Sequence, residues 1–258
     1  MTSLDLQPRL DLGDGGAPAG HAQLTNMALA LQTLLDCRDA GHTSPRMGLL
    51  YGFSGYGKTV AAAFAAARTG AIYIQAQSIW TQLSLLRAIA AELGIARVKR
   101  TGPEILEQIV EQLNRTPTDL IVDEMDHLAR RGMVEILRDL HDATRSAILM
   151  IGEESLPSKL KEWERFDNRI LVATPAQPAS IADALKLRDH YCNRIRIADD
   201  LAALFAERCR GVTRRIVVNL QAAQRVAAEN GQSEIDAAWW GSRPISTGEI
   251  AVRRREAA

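Results

Sequence analysis

The sequence carries no net charge: 31 lysines and arginines offset 31 aspartates and glutamates over 258 residues. That excludes a global field for nucleic acid, so any such contact has to come from a local basic patch. Cysteine is scarce. Cys37, Cys192 and Cys209 are scattered, odd in number and without C-x-x-C or zinc spacing. This excludes a disulfide framework and reads as buried thiols in a reducing compartment. No apolar run approaches the roughly 18 residues of a membrane-spanning helix. Met1 to Gly20 lacks a charged start followed by an apolar core, so no secretory signal is expected and the cytoplasm is the expected location. No internal repeat is visible.

What the sequence does have is apolar content of 47%, enough for a full core, and one dense motif. Gly52-Phe53-Ser54-Gly55-Tyr56-Gly57-Lys58-Thr59 matches G-x-x-x-x-G-K-[ST] at every fixed position. The apolar run Met47 to Tyr51 precedes it and an alanine-rich helical stretch from Val60 to Arg68 follows, the strand–loop–helix setting the pattern needs. The glycines let the backbone curl so that its N–H groups face phosphate oxygens. The positive end of the next helix adds to them. Lys58 is expected to meet the β- and γ-phosphates of ATP, and the Thr59 hydroxyl to ligate Mg²⁺. The residues expected around the nucleotide are Gly52, Ser54, Gly55, Tyr56, Gly57, Lys58, Thr59 and Val60.

Residues 1–21, rich in Gly, Asp and Pro, read as a flexible segment. A helical period follows from about Leu24 to Arg38, with Leu24, Met27, Leu31, Leu34 and Leu35 on one face. Strand candidates are Met47–Tyr51, Ala71–Gln75, Leu120–Asp123, Ala147–Gly152 and Ile170–Ala173, with helices expected over 58–68, 79–93, 103–114, 133–143 and 155–164 between them. Short apolar strands with helical crossovers imply a three-layer α/β domain around a mostly parallel sheet, over 22–174. Thr174 to Pro178 is a linker by composition, after which strand signals stop. Ile181–Tyr191, Leu201–Cys209 and Thr213–Glu229 read as helices of a small second domain over 178–230. A tail over 231–258 contains Trp239-Trp240, expected as a packing anchor, and ends in the cluster Arg253-Arg254-Arg255.

Leu120-Ile121-Val122-Asp123-Glu124 is an apolar strand that ends in two carboxylates, 65 residues after Lys58. Lying beside the phosphate-loop strand, it would bring Asp123 to Mg²⁺, usually through water. Glu124 would then act as general base on the attacking water. An Asp-Glu pair at a strand end points to hydrolysis and speaks against a plain nucleotide switch.

With Gly52–Thr59 as a Walker A motif, Leu120–Glu124 as a Walker B motif and a helical domain after a short linker, the chain resembles AAA+ ATPases over about residues 22 to 230. The resemblance implies a P-loop NTPase fold with a C-terminal helical lid, and further site residues. An arginine finger reaching a neighbouring subunit would be Arg165 or Arg169, within Arg165-Phe166-Asp167-Asn168-Arg169-Ile170. Gly211-Val212-Thr213-Arg214 resembles the lid's sensor-2 motif, with Arg214 reaching the γ-phosphate and Thr213 a plausible helix cap. The strand end at Gly152-Glu153-Glu154 lacks the usual sensor-1 asparagine or threonine, leaving Glu153 in that place. Thr25 and Asn26 would lie on the adenine side.

Asn26–Arg38 with Met47–Thr59, Ile148–Glu154 and Arg165–Ile170 further resemble the transposition ATPases of the phage Mu protein B, TniB and TnsC type. This implies ATP-dependent assembly into a helical filament or ring on double-stranded DNA, without strong sequence preference, and delivery of that DNA to a transposase. About 20 residues precede the first helix, so DNA binding is expected from the AAA+ module itself. Arg97-Val98-Lys99-Arg100 forms a basic loop between two expected helices, and Arg97, Lys99 and Arg100 are the candidate phosphate contacts. The alternative is an AAA+ ATPase that remodels a protein partner, as helicase loaders and secretion-associated ATPases do.

Overall fold

A strand as apolar on both faces as Met47 to Tyr51 is stable only with helices above and below it. The computed structural model, which describes residues 24–41, 43–129 and 132–248, provides them. The sheet contains β1 (Met47–Tyr51), β2 (Ile72–Gln75), β3 (Leu120–Asp123), β4 (Ile148–Gly152) and β5 (Ile170–Pro175) in the order β2-β3-β4-β1-β5, every pair parallel. Alternate residues divide between two layers. Leu49, Val122 and Met150 join the cluster formed with α3 (Gln82–Glu92), α4 (Gly102–Arg115), the short α5 (Asp126–Ala129) and α6 (Val134–Ala143). Leu50, Ile121 and Leu149 join α1 (Thr25–Arg38) and α2 (Lys58–Thr69) on the other face. Ala61, Ala62 and Ala65 let α2 lie close to the sheet.

Four expectations from the sequence change here. First, β3 is not beside β1. β4 lies between them in the middle of the sheet, and both β3 and β4 are buried at every residue. Second, α1 buries Asn26, Ala30, Thr33, Leu34 and Cys37, so of the expected stripe only Leu34 is buried while Leu24, Met27, Leu31 and Leu35 are half-buried. The small residues face inward because α1 runs close over Gly48, where an added Cβ would lie 2.8 Å from Thr33 Cγ2 and 2.9 Å from Cys37 Sγ. Third, the helix expected over 155–164 is two short ones, α7 (Leu156–Leu160) and α8 (Glu164–Asp167). Trp163, at φ −110° and ψ 72°, leaves the helical region. Its ring packs over Gly132, where a Cβ would approach it to 2.9 Å. Fourth, α3 starts at Gln82, not 79, because the Thr81 side chain caps it by accepting from Ser84 N–H.

After the linker come α9 (Ile181–Tyr191), β6 (Arg196–Ile197), α10 (Asp199–Arg208), α11 (Thr213–Glu229), β7 (Glu234–Ile235) and α12 (Ala237–Trp240). They enclose a separate cluster that includes Leu201, Phe205, Leu220, Ile235 and Trp240. Strand signals do not stop at the linker, since β6 and β7 pair in parallel through Arg196–Glu234 and Ile197–Ile235. These strands are two residues each, too short for a period to register. The unit also extends past residue 230. Trp240 stacks edge-on to Phe205 at 5.5 Å, and Asn219 exchanges hydrogen bonds with the Ser246 backbone. Residues 1–21 and the Arg253–Arg255 cluster lie outside the described residues. Among the described residues no helix is long and apolar enough to cross a membrane.

The Gly48 contact yields a test. Gly48→Ala forces α1 off the sheet and is expected to lower stability in urea by about 1–3 kcal/mol; an unchanged unfolding midpoint would show that the helix gives way freely.

Candidate nucleotide site

The phosphate loop leaves the top of β1, and its carbonyl groups are nearly all engaged. Lys58 Nζ donates to the Gly52 and Phe53 carbonyls at 2.6 and 2.9 Å. The Arg214 N–H donates to Gly55 O at 3.1 Å. Asn26 Nδ2 donates to Tyr56 O at 2.8 Å. Ala61 N–H donates to Gly57 O as α2 begins. Among the described residues no acceptor engages the N–H groups of residues 53 to 57. Gly55 and Gly57 sit at φ 85° and 81°, the left-handed region that a side chain disfavours. The result is a curled backbone with donors free at the N-terminus of a 12-residue helix, the arrangement that binds phosphate.

Lys58, Asp123 and Glu124 share one electrostatic neighbourhood. Burial lowers the Lys58 pKa, while Asp123, Glu124, Glu154 and Asp126 act to raise it. Asp123 is 2% exposed. Its Oδ1 accepts from Glu124 N–H at 2.8 Å, and its Oδ2 accepts from the Tyr73 hydroxyl at 3.0 Å. Glu124 stands at φ 55°, uncommon for a residue with a side chain. Burial and the adjacent Asp123 raise its pKa, which makes it a better proton acceptor than an ordinary carboxylate. With the Thr59 hydroxyl at the start of α2, the Asp123 carboxylate gives the hard oxygen donors that Mg²⁺ prefers. The residues present therefore fit a magnesium-bound nucleoside triphosphate. Ser54 and Val60 are exposed at the loop and the first turn of α2.

Asn26 does not wait for adenine. Both hydrogens of its amide are used, on Tyr56 O and Gln177 O, and its Oδ1 accepts from Gln177 N–H at 2.8 Å. It clamps the loop to the linker. Thr25 reaches the lid instead, donating its N–H and hydroxyl to Asp183 at 3.0 and 2.9 Å. Asp183 also accepts from the Ser180 N–H and hydroxyl as α9 begins. The motif Ser180-x-x-Asp183, a capping box directly after the linker, was the available signal for this residue.

Arg214 is exposed, with its backbone tied to the loop through Gly55. Thr213 is not the cap of α11. Val212 holds that position without a side-chain bond, because Thr213 packs towards Gly57. Glu153 donates its N–H to the buried Asp126 at 2.7 Å, and Lys159 Nζ binds the other oxygen of Asp126 at 2.5 Å. Lys159 also lies 3.8 Å from Glu153, so the acid at the end of β4 has a cation beside it. The two candidate finger residues differ. Arg169 makes a two-point contact with Asp142 at 3.1 and 2.9 Å. The Arg165 side chain is exposed and, among the described residues, has no hydrogen bond or ion pair. Arg97, Lys99 and Arg100 are exposed on the loop from α3 to α4, away from this site in the chain. Gln108 braces that loop by accepting from Lys99 N–H and donating to Arg97 O.

A parallel five-stranded sheet with a phosphate loop, a strand ending in Asp-Glu and a helical unit against the loop has the α/β fold of P-loop AAA+ proteins. A family model described as AAA domain matches residues 41–160. The chain is 30% identical over 146 residues to the Mu-like prophage FluMu DNA transposition protein B of Haemophilus influenzae, covering 53% of this chain and 50% of that one. Among solved structures it is similar to the Aeropyrum pernix Orc1 protein in complex with DNA, with a TM-score of 0.59 and 21% identity over 84% of this chain and 63% of that one. It is likewise similar to Cdc6p of Pyrobaculum aerophilum, with a TM-score of 0.62 and 20% identity over 85% and 66%. The chain thus spans half the length of the curated relative and about two thirds of these solved chains.

The α1–lid strap is testable. Asp183→Asn places an amide donor among four donors and is expected to cost about 1–3 kcal/mol, with faster proteolysis of the linker; unchanged stability and cleavage would count against the strap. Burial acts to raise the Asp183 pKa, but the hydrogen bonds from Ser180 and Thr25 outweigh it and leave the pKa lowered. The strap's contribution is therefore complete above the ordinary carboxylate range, and is lost as pH falls through the still lower native value.

Proposed function

We propose that the chain is an ATP-hydrolysing, DNA-binding AAA+ protein that assembles on double-stranded DNA as a helical filament. In the cytoplasm, it would deliver target DNA to a transposase. The observation that carries this reading is the likeness to a DNA transposition protein B over 53% of the chain, beside an AAA domain match over residues 41–160 that includes the phosphate loop. The free N–H groups of the loop and Lys58 bind the phosphates. Thr59 and Asp123 hold Mg²⁺, which when bound supplies positive charge to the phosphate oxygens. Glu124 takes the proton of the attacking water, and Arg214 links nucleotide state to the lid. Arg97, Lys99 and Arg100 contact DNA phosphates, so binding weakens steeply with salt.

Negative-stain microscopy with random-sequence duplex DNA tests the whole reading. Filaments are expected with ATP and none for Lys58→Ala; absence of DNA-dependent filaments with ATP or a slowly hydrolysed analogue would sink it.

For the finger that acts on a neighbouring copy, Arg165 is the better supported candidate, since Arg169 is engaged by Asp142. Arg165→Ala is expected to lower turnover by about 10³-fold, with activity partly recovered on mixing with Lys58→Ala. Arg169→Ala should mainly lower stability. If Arg165→Ala turns over normally while Arg169→Ala does not, the assignment is reversed.

A further inference from the structure

β2 lies at an edge of the sheet, yet its third layer of contacts leads into the site. In the parallel register, Tyr73 pairs with Ile121 and Gln75 with Asp123. Side chains two apart on a strand share a face, so Tyr73, Ile121 and Asp123 all lie on the side of α1 and α2. Ile121 is fully buried there and the Tyr73 ring packs against the same cluster. The ring is held by this packing, and its hydroxyl meets Asp123 Oδ2 at 3.0 Å. Asp123 Oδ1 is occupied by the Glu124 N–H. Each oxygen of a buried carboxylate thus has one donor from the chain, and the plane of the carboxylate is set between two fixed points.

We propose that Tyr73 is a positioning residue for Asp123: its hydroxyl holds the carboxylate in the orientation in which it meets the Mg²⁺ of a bound nucleotide. This rests on the nucleotide reading above. A carboxylate oxygen has two lone pairs, so donation from Tyr73 leaves Oδ2 able to accept again. Mg²⁺ demands near-ideal octahedral geometry and keeps several waters. A carboxylate free to turn about its last bond serves that geometry badly. Outer partners that orient a metal's ligands are therefore expected to affect metal affinity more than fold. The Glu124 N–H is the second point of the same brace, so loss of the Tyr73 bond also loosens the turn that carries the general base.

Tyr73→Phe keeps the ring packing and removes only the hydroxyl. A fluorescent ATP analogue would be titrated into the wild-type protein and the variant, in EDTA and across a Mg²⁺ series, with thermal unfolding of both. Equal affinity in EDTA is expected, with a Mg²⁺ half-saturation about 10-fold higher in the variant, the lower end of the effect of removing such partners. Asp123→Asn should show the same defect, and adding Tyr73→Phe to it should deepen that defect little. Unchanged Mg²⁺ dependence, or equal weakening with and without Mg²⁺, overturns the positioning role. If the wild-type protein does not bind the analogue at all, the nucleotide reading fails; if it binds with no effect of Mg²⁺, the nucleotide reading stands and the positioning role of Tyr73 is overturned alone. Additive losses in the double variant would also overturn it, because they would separate Tyr73 from Asp123.

Discussion

A phosphate loop has to present N–H groups while its carbonyls point elsewhere, and each of those carbonyls needs a donor. In this protein the donors come from three separate places: the first turn of α2 through Lys58 and the Ala61 N–H, α1 through Asn26, and the lid through the Arg214 N–H. The free face of the loop is thus made by its occupied face. This explains why parts of the chain more than 150 residues apart converge on eight residues. It also explains the glycines. A Cβ on Gly55 would approach Val212 to 2.7 Å, so a side chain there would separate the loop from the lid as well as strain the backbone.

The same contacts tie the helical unit to the phosphate loop without requiring a long path. Thr25 and Asn26 are consecutive, yet one holds the lid through Asp183 and the other holds both the loop and the linker. Gly211 permits the lid to approach the linker closely, its carbonyl accepting from Ala179 N–H at 2.8 Å. Movement of the lid relative to the sheet therefore strains bonds to Tyr56 O and Gly55 O, two carbonyls of the loop itself. The loop, the linker and the lid have one set of hydrogen bonds between them, and a change in any one is felt by the others.

What could be read from the sequence was what local chemistry decides. The loop, the five strands and the longer helices lie within a few residues of their expected bounds because period, turn residues and caps fix them. The pairing of Asp123 with Glu124 at a strand end needed only the apolar run before it. What could not be read was set by contacts between distant segments. That β4 separates β1 from β3 is a matter of sheet order, which local composition does not decide because β3 and β4 are both apolar and buried at every residue. The inward turn of Thr33 and Cys37 follows from the absence of a side chain on Gly48, and that of Asn26 from its bonds to Tyr56 and Gln177. Trp163 breaks a helix through its contact with Gly132, about 30 residues earlier in the chain. Tyr73 belongs to the site only because β2 lies next to β3, a fact of topology that four residues of strand do not encode.

The two arginines after α7 show how such distant contacts assign roles. Arg46 N–H donates to His141 Nε2, so that nitrogen is the acceptor and the ring's proton lies on Nδ1, facing Asp142. Asp142 in turn receives Arg169, whose other donor goes to the Arg165 carbonyl. Arg169 is the end of a chain of hydrogen bonds that begins beside β1, and its guanidinium is engaged within the same chain. That chain also fixes the backbone of Arg165 while leaving its guanidinium in water. Ordering a long side chain costs up to about 2 kcal/mol, and a fixed backbone lowers the part of that cost still to be met on contact. A group that acts on another molecule, as proposed for Arg165, is served by this combination, whereas Arg169 is held by Asp142.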